Sequence, residues 1–197
     1  MKWILALLAL GLAAAAAERP WDWGDADDDW TKSGGFEISK ALCRKLRDRE
    51  PPASDGHLTR AEGLGLLVLV ADCLPVALAA PGQVAMLHCG WRGLAGGIVE
   101  RALAAFDTPP AAAIGPGIGR CCYEVGEEVL AAFADLDGVA DGRMLDLRAV
   151  AERRLRAAGV EHVEHVDECT SCRPDLFFSH RRDHGVTGRQ CGIAVRA

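Results

Sequence analysis

The segment "LPVALAAPGQVAMLHCG", residues 74–90, constrains this chain more than any other stretch. Two apolar runs flank Pro81-Gly82-Gln83, and a proline-glycine turn between such runs predicts a pair of neighbouring strands. The consequence concerns two reactive residues. Cys73 stands just before the first run and His88 near the end of the second, fifteen positions on. If the strands pair through that turn, the two side chains come to one edge of a sheet. A thiolate and a neutral imidazole are good zinc ligands, and a catalytic zinc takes three protein ligands and an open position. The same pair also suits a thiol nucleophile activated by an imidazole. The plainer alternative is a buried cysteine and a hydrogen-bonded core histidine.

The neighbouring segments set the class of fold. "LGLLVLVADC" is a continuous apolar run and predicts a strand buried on both faces. "GGIVERALAAF" repeats apolar residues at Ile98, Val99, Ala102, Leu103 and Phe106, a helical face. "AAAIGPGIG" predicts a short strand running into a glycine loop, and "EVGEEVLAAF" a second amphipathic helix. "DLRAVAERRLRAAG" predicts a third, with Asp146 as N-cap and Gly159 as its stop. "QCGIAVRA" predicts a last strand. Strands and helices interleaved in this way argue for an α/β (α+β) fold, a mixed-sheet sandwich flanked by helices.

The first fifty residues read differently. Residues 1–17, "MKWILALLALGLAAAAA", have the lysine, apolar run and small residues of a signal-like leader, too short for a membrane span. Residues 18–50 form a divergent segment. Within it Asp22, Asp25, Asp27, Asp28 and Asp29 crowd Trp21, Trp23 and Trp30, and charges this dense favour a solvated linker. The spacing lacks the glycine and closing glutamate of an EF-hand. "FEISKALCRKLRDREPP" predicts a short helix or strand ended by Pro51-Pro52. The orderly remainder, residues 51–197, is the predicted catalytic domain. A net charge of −6 leaves no electrostatic footprint for nucleic acid or an anionic membrane surface, so a small-molecule ligand is expected.

Eight cysteines are spread unevenly along the 197 residues. Cys121 and Cys122 are adjacent, Cys169 and Cys172 form a CxxC, and Cys73 and Cys89 flank the hairpin. That pattern suits reduced thiols and metal chemistry at least as well as disulfides. A structural zinc shared by Cys121, Cys122, Cys169 and Cys172 is disfavoured, because adjacent cysteines are poor chelating spacing.

Other residues carry chemistry. Asp72 ends an apolar run, where a buried carboxylate needs a partner. Arg92 sits in "GWRG", where a guanidinium suits phosphate or carboxylate, or else a structural ion pair. "IGPGIGRCCYEVG" does not meet the dinucleotide fingerprint, and Pro116 has no amide to offer a phosphate. "CTSCRPDLFFSHRRDHGVTGRQCG" gathers Ser179, His180, Arg181, Arg182, His184 and Arg189 into an anion contact or a solvated basic patch.

Taken in order, "SDGHLT", "VLVADCLPV", "MLHCGWRG", "AAIGPGIGRCCYEVG", "CTSC" and "FFSHRRDHGVTGRQ" resemble the YfiH/laccase-domain proteins, also called the polyphenol oxidase or purine nucleoside phosphorylase family. The resemblance runs over residues 54–195. It implies a mixed α/β sandwich in a cytoplasmic, monomeric enzyme that phosphorolyses adenosine, inosine, guanosine and methylthioadenosine and deaminates adenosine. It implies zinc rather than the copper of the older laccase label. The ligands carried over are Cys73 and His88, with Asp72 beside them as a catalytic group that orients a ligand or carries a proton. Arg92, Ser179 and Arg181 are the implied contacts for nucleoside and phosphate.

The family's third ligand is a histidine in a QVHG segment upstream. Here "EISK" takes that place, with Ser39 at the ligand position. Either the site is impaired, or His57 or Cys43 replaces the missing donor. Two other functions remain open: a non-catalytic remnant that binds a purine or a protein partner, and a metal-free Cys73–His88 hydrolase. Export in place of a cytoplasmic location follows if the leader acts as a signal.

Overall fold

The computed structural model describes residues 54–196. The leader, the acidic segment, Ser39 and Cys43 therefore lie outside the described residues.

The expected hairpin is the centre of the fold. β3 (Leu74–Ala80) and β4 (Gln83–Cys89) pair antiparallel around Pro81-Gly82. Gly82 has φ 76°, and proline followed by glycine at positive φ is the requirement of a type II turn. β1 (Gly56–Thr59) pairs antiparallel with the outer edge of β4. β5 (Ala111–Ile114) pairs antiparallel with β3, and β8 (Val163–His165) adds parallel to β5. The sheet order is β1-β4-β3-β5-β8, so a single parallel pairing makes it mixed.

The two faces of this sheet are buried differently. Leu74, Val76, Leu78, Leu87 and Cys89 point to the helical side. There they meet α1 (Trp91–Ala95), α2 (Ile98–Leu103), α3 (Glu127–Ala131) and α4 (Leu147–Ala157) through Leu94, Val99, Val129 and Leu155, among others. The predicted cap is present: the Asp146 side chain accepts from the Ala149 amide, worth about 1 kcal/mol. Gly159, at φ 92°, follows the helix. A small ribbon of β6 (Ala140–Asp141) and β7 (Met144–Leu145) precedes that helix.

The opposite face packs on a two-stranded antiparallel sheet of β2 (Gly65–Val70) and β9 (Gln190–Val195). Leu66, Val68 and Val70 meet Val84 and Met86 there, with Cys73 and Ala77 at the edge. Gly192 lets the layers approach closely, because a Cβ at that position would stand 2.2 Å from the Met86 methyl and 2.7 Å from Pro75. The fold is thus the mixed-sheet sandwich flanked by helices that the pattern predicts.

One expectation is corrected. β2 is not buried on both faces; its residues alternate, with Leu67 48% and Leu69 58% exposed. The reason is its place in a two-stranded layer: one face covers β3 and β4, and among the described residues no element covers the other. No described helix is long and apolar enough to cross a membrane.

Candidate functional site

The register of the hairpin builds the site. Leu74 pairs with Cys89 and Pro75 with His88, which sets Cys73 opposite Gly90. A Cβ at Gly90 would lie 3.0 Å from Cys73 Sγ, so glycine is what lets the sulfur lie over the crossing. Side chains alternate along a strand, so His88 shares the face of Met86, the face against which Cys73 also packs. Both residues are partly exposed. The thiol and imidazole therefore sit at one end of one face of the central sheet, reachable from solvent.

His88 is held by a residue that the sequence does not mark. Its backbone amide donates to the Asp55 carbonyl at 2.6 Å, and its Nδ1 lies 3.1 Å from Asp55 Oδ1. A carboxylate on one ring nitrogen fixes the ring and leaves Nε2 free, the arrangement used by metal-bound and general-base histidines. Asp55 stands beside β1, paired with the end of β4, and only that pairing makes it a partner of His88. His57, two residues on, is exposed on β1 opposite Met86.

Burial, with the nearby carboxylates Asp72 and Asp55, pushes the Cys73 thiol up to about 11, against a smaller opposing effect of Arg189. Without a bound metal ion, burial therefore favours the protonated thiol of Cys73 at neutral pH. This disfavours the metal-free nucleophile reading, since the thiolate is the reactive form.

Asp72 has the buried-carboxylate partners that its position demands. It lies in the left-handed region, φ 84°, unusual for a residue other than glycine. Its Oδ1 accepts from the Thr170 hydroxyl at 2.6 Å and its Oδ2 from the Arg181 amide at 2.7 Å. Its carbonyl accepts from the Ile118 amide at 2.8 Å. One residue thereby joins the corner before β3, the glycine loop 115–119 and the two loops that precede β9. The amides of Gly115 and Ile118 are spent on Pro75 and Asp72, so this loop is no phosphate cradle.

The arginines divide by role. Arg182 donates to the carbonyls of Thr170 and Phe177 and pairs with both oxygens of Asp183, so it holds the loop together. Arg181 is exposed; it donates to the Glu124 carbonyl and lies 5.4 Å from the centre of the Tyr123 ring. Arg92 is exposed over Trp91 at 4.4 Å, with no carboxylate partner among the described residues. Ser179 is fully buried; its hydroxyl accepts from the Arg182 amide, so it shapes a turn and has no open face toward a ligand.

Tyr123, which the sequence does not single out, links these groups. Its phenol is half-buried and pushed up to about 12, by burial first and then by Cys73. Arg181 and Arg92 act in the opposite direction on the same ring, and Asp72 adds to the rise. Tyr123 thus stands within the fields of a thiol, a carboxylate and two guanidinium groups. Two concave sites, of about 170 and 290 Å³, lie at Leu103–Pro110 with Val160 and at Leu130–Ala140; neither is lined by Cys73 or His88.

The four cysteines set aside as poor chelators come together. The ligand atoms of Cys121, Cys122, Cys169 and Cys172 all lie within 4.8 Å of one another, the one such group of His, Cys, Asp or Glu among the described residues. A turn closed by the Cys122 amide on the Gly119 carbonyl brings the adjacent pair to the CxxC loop. The spacing objection fails because backbone curvature, not sequence distance, sets where the sulfurs point. Cys73 and His88 offer a sulfur and a free imidazole nitrogen, donors that suit zinc. Among the described residues, neither belongs to a group of three or more His, Cys, Asp or Glu donors within 4.8 Å of one another.

Residues 37–197 match the family model described as multi-copper polyphenol oxidoreductase laccase. The chain belongs to this family. It is 41% identical over 148 residues to a protein of Xylella fastidiosa named purine nucleoside phosphorylase, covering 67% of this chain and 57% of that one. It is 39% identical over 166 residues to "Purine nucleoside phosphorylase YlmD" of Geobacillus stearothermophilus, covering 74% and 61%. The crystal structure of that YlmD superposes with a TM-score of 0.67 at 38% identity, over 73% of this chain and 62% of that one. The Bacillus licheniformis protein YfiH superposes with 0.68 at 33% identity, over 73% and 61%. The chain therefore spans about three fifths of the length of these laccase-family relatives.

Proposed function

We propose that this laccase-family chain is a purine nucleoside phosphorylase acting at the Cys73–His88 edge of the central sheet. The observation that carries the reading is the grouping of Cys73, the Asp55-oriented His88, Tyr123 and the exposed guanidinium groups of Arg92 and Arg181 at that edge. The names of its relatives supply the reaction class.

In that reaction an oxygen of inorganic phosphate attacks the anomeric carbon of adenosine, inosine, guanosine or methylthioadenosine. The N-glycosidic bond breaks, its electron pair leaves with the purine, and the purine takes up a proton. Arg92 and Arg181 hold the phosphate, since each has donors left over for a dianion. His88, fixed through Nδ1, presents Nε2 for proton transfer at the leaving group. Asp72 is a positioning residue that sets Arg181 through its backbone amide. Adenosine deamination at the same edge adds water at C6 and releases ammonia.

Cys73 and His88, with one further donor, would hold a zinc ion, which supplies Lewis acidity. Neither reaction transfers an electron, so copper has no task here. The enzyme is taken to work as a cytoplasmic monomer.

The test is release of hypoxanthine from inosine by the full chain, with and without phosphate. Turnover should require phosphate, disappear in His88→Ala, and show a phosphate KM about tenfold higher in Arg92→Ala, the loss of one charge-assisted contact. If inosine binds without turnover, the chain is a binding remnant. If turnover survives His88→Ala, the site lies elsewhere.

A further inference from the structure

We propose that Cys121, Cys122, Cys169 and Cys172 form a closed tetrathiolate site for a structural zinc ion, separate from the Cys73–His88 edge. Cys121 and Cys122 close the turn after the glycine loop, and Cys169 and Cys172 lie on the loop after β8. The sulfurs of Cys121 and Cys172 are 3.5 Å apart and those of Cys122 and Cys172 3.4 Å. Zinc–sulfur bonds of about 2.3 Å place tetrahedral sulfurs about 3.8 Å from each other. The observed separations fall a few tenths of an ångström short of that value, with all four sulfurs within 4.8 Å of one another, while a disulfide needs about 2.05 Å.

The backbone around the group is built to present sulfur. Gly117 and Cys169 form a parallel bridge, and the Thr170 amide donates to the Gly117 carbonyl at 3.0 Å. The Gly119 amide donates to Cys169 Sγ at 3.1 Å, the kind of outer contact that settles a metal-bound thiolate. A Cβ at Gly119 would stand 3.0–3.3 Å from Cys169 and Cys121, so the glycine leaves room for the sulfurs. Four protein thiolates leave no open position, which makes the ion structural rather than catalytic.

The position gives the ion its work. The ion would pin the 115–122 loop to the 169–172 loop, on which Thr170 holds Asp72 and Cys122 precedes Tyr123. The site does not depend on the phosphorylase reading.

The probe is Co²⁺, added to metal-stripped, reduced full chain carrying Cys73→Ala and His88→Ala so that the other donors are silent. The expected result is one Co²⁺ per chain with the intense visible bands of tetrahedral cobalt thiolate, displaced by an equivalent of zinc. Adding Cys172→Ser, at the exposed edge of the group, should weaken the bands and lower affinity at least tenfold. Protection of all four thiols from alkylation on metal addition gives the same answer in the unsubstituted group, should Cys172→Ser fail to fold. The proposal is overturned if the double variant binds no Co²⁺, if Cys172→Ser leaves the spectrum unchanged, or if mass spectrometry finds disulfides among these residues in reduced protein.

Discussion

Asp72 Oδ1 lies 2.6 Å from the hydroxyl of Thr170, ninety-eight positions away in the chain, and both residues are buried. The contact joins the corner before β3 to the CxxC loop. Asp72→Asn keeps the left-handed backbone, which asparagine tolerates, but turns a donor toward either Thr170 or the Arg181 amide. The expected loss is about 2 kcal/mol in urea unfolding. A double-mutant cycle with Thr170→Val should show coupling above about 0.5 kcal/mol; additive losses would remove the contact from the account.

Neighbouring arginines should behave oppositely. Arg182→Ala removes donors to two carbonyls and to Asp183, and is expected to cost about 2 kcal/mol of stability. Arg181→Ala should change the melting temperature little and raise the phosphate KM. Thermal melts beside initial-rate kinetics for the two variants separate fold from function.

The Asp183 carboxyl is held down to about 2, chiefly by Arg182 and then by the Thr187 hydroxyl. A depressed carboxylate stabilises the fold at pH values above its unfolded pKa near 4, and the contribution fades as pH falls toward 2. Asp183→Asn should therefore be less stable than the parent at pH 6, with the gap closing between pH 4 and 2. A constant gap across chemical denaturation curves in that range would contradict the assignment.

Cys73, with its thiol raised to about 11, should alkylate slowly at pH 7 in metal-stripped protein. Its rate should climb steadily toward pH 10, later than that of a solvent-exposed cysteine peptide. Peptide mass mapping of iodoacetamide adducts follows this residue by itself. Rapid labelling at pH 7 would revive the thiol-nucleophile hypothesis.

Asp55→Ala should free the His88 ring without touching the sheet core. Affinity of the edge site for zinc, or turnover of inosine if no zinc binds there, should fall about 10- to 100-fold. Retained function would leave Asp55 a surface partner only.

Local rules decided a large part of this protein. The Pro81-Gly82 turn, the apolar runs on either side and the Asp146 cap each act within a few residues, so the hairpin, α4 and the placement of Cys73 and His88 at the same end of that hairpin were legible in sequence. The alternation of β2 was not, because a run of valine and leucine does not say how many layers will cover it; the two-stranded β2–β9 layer left Leu67 and Leu69 exposed. Asp55, Tyr123 and the division between Arg181 and Arg182 were likewise settled by pairings across the fold. The cysteine group shows the difference most sharply: Cys121 and Cys172 are fifty-one positions apart, and contacts of Gly117 and Gly119 with Cys169 and Thr170 bring their loops together. Sequence chooses the conformations available to each short segment, but contacts between distant segments depend on where whole elements pack, and burial of the two cores makes that choice.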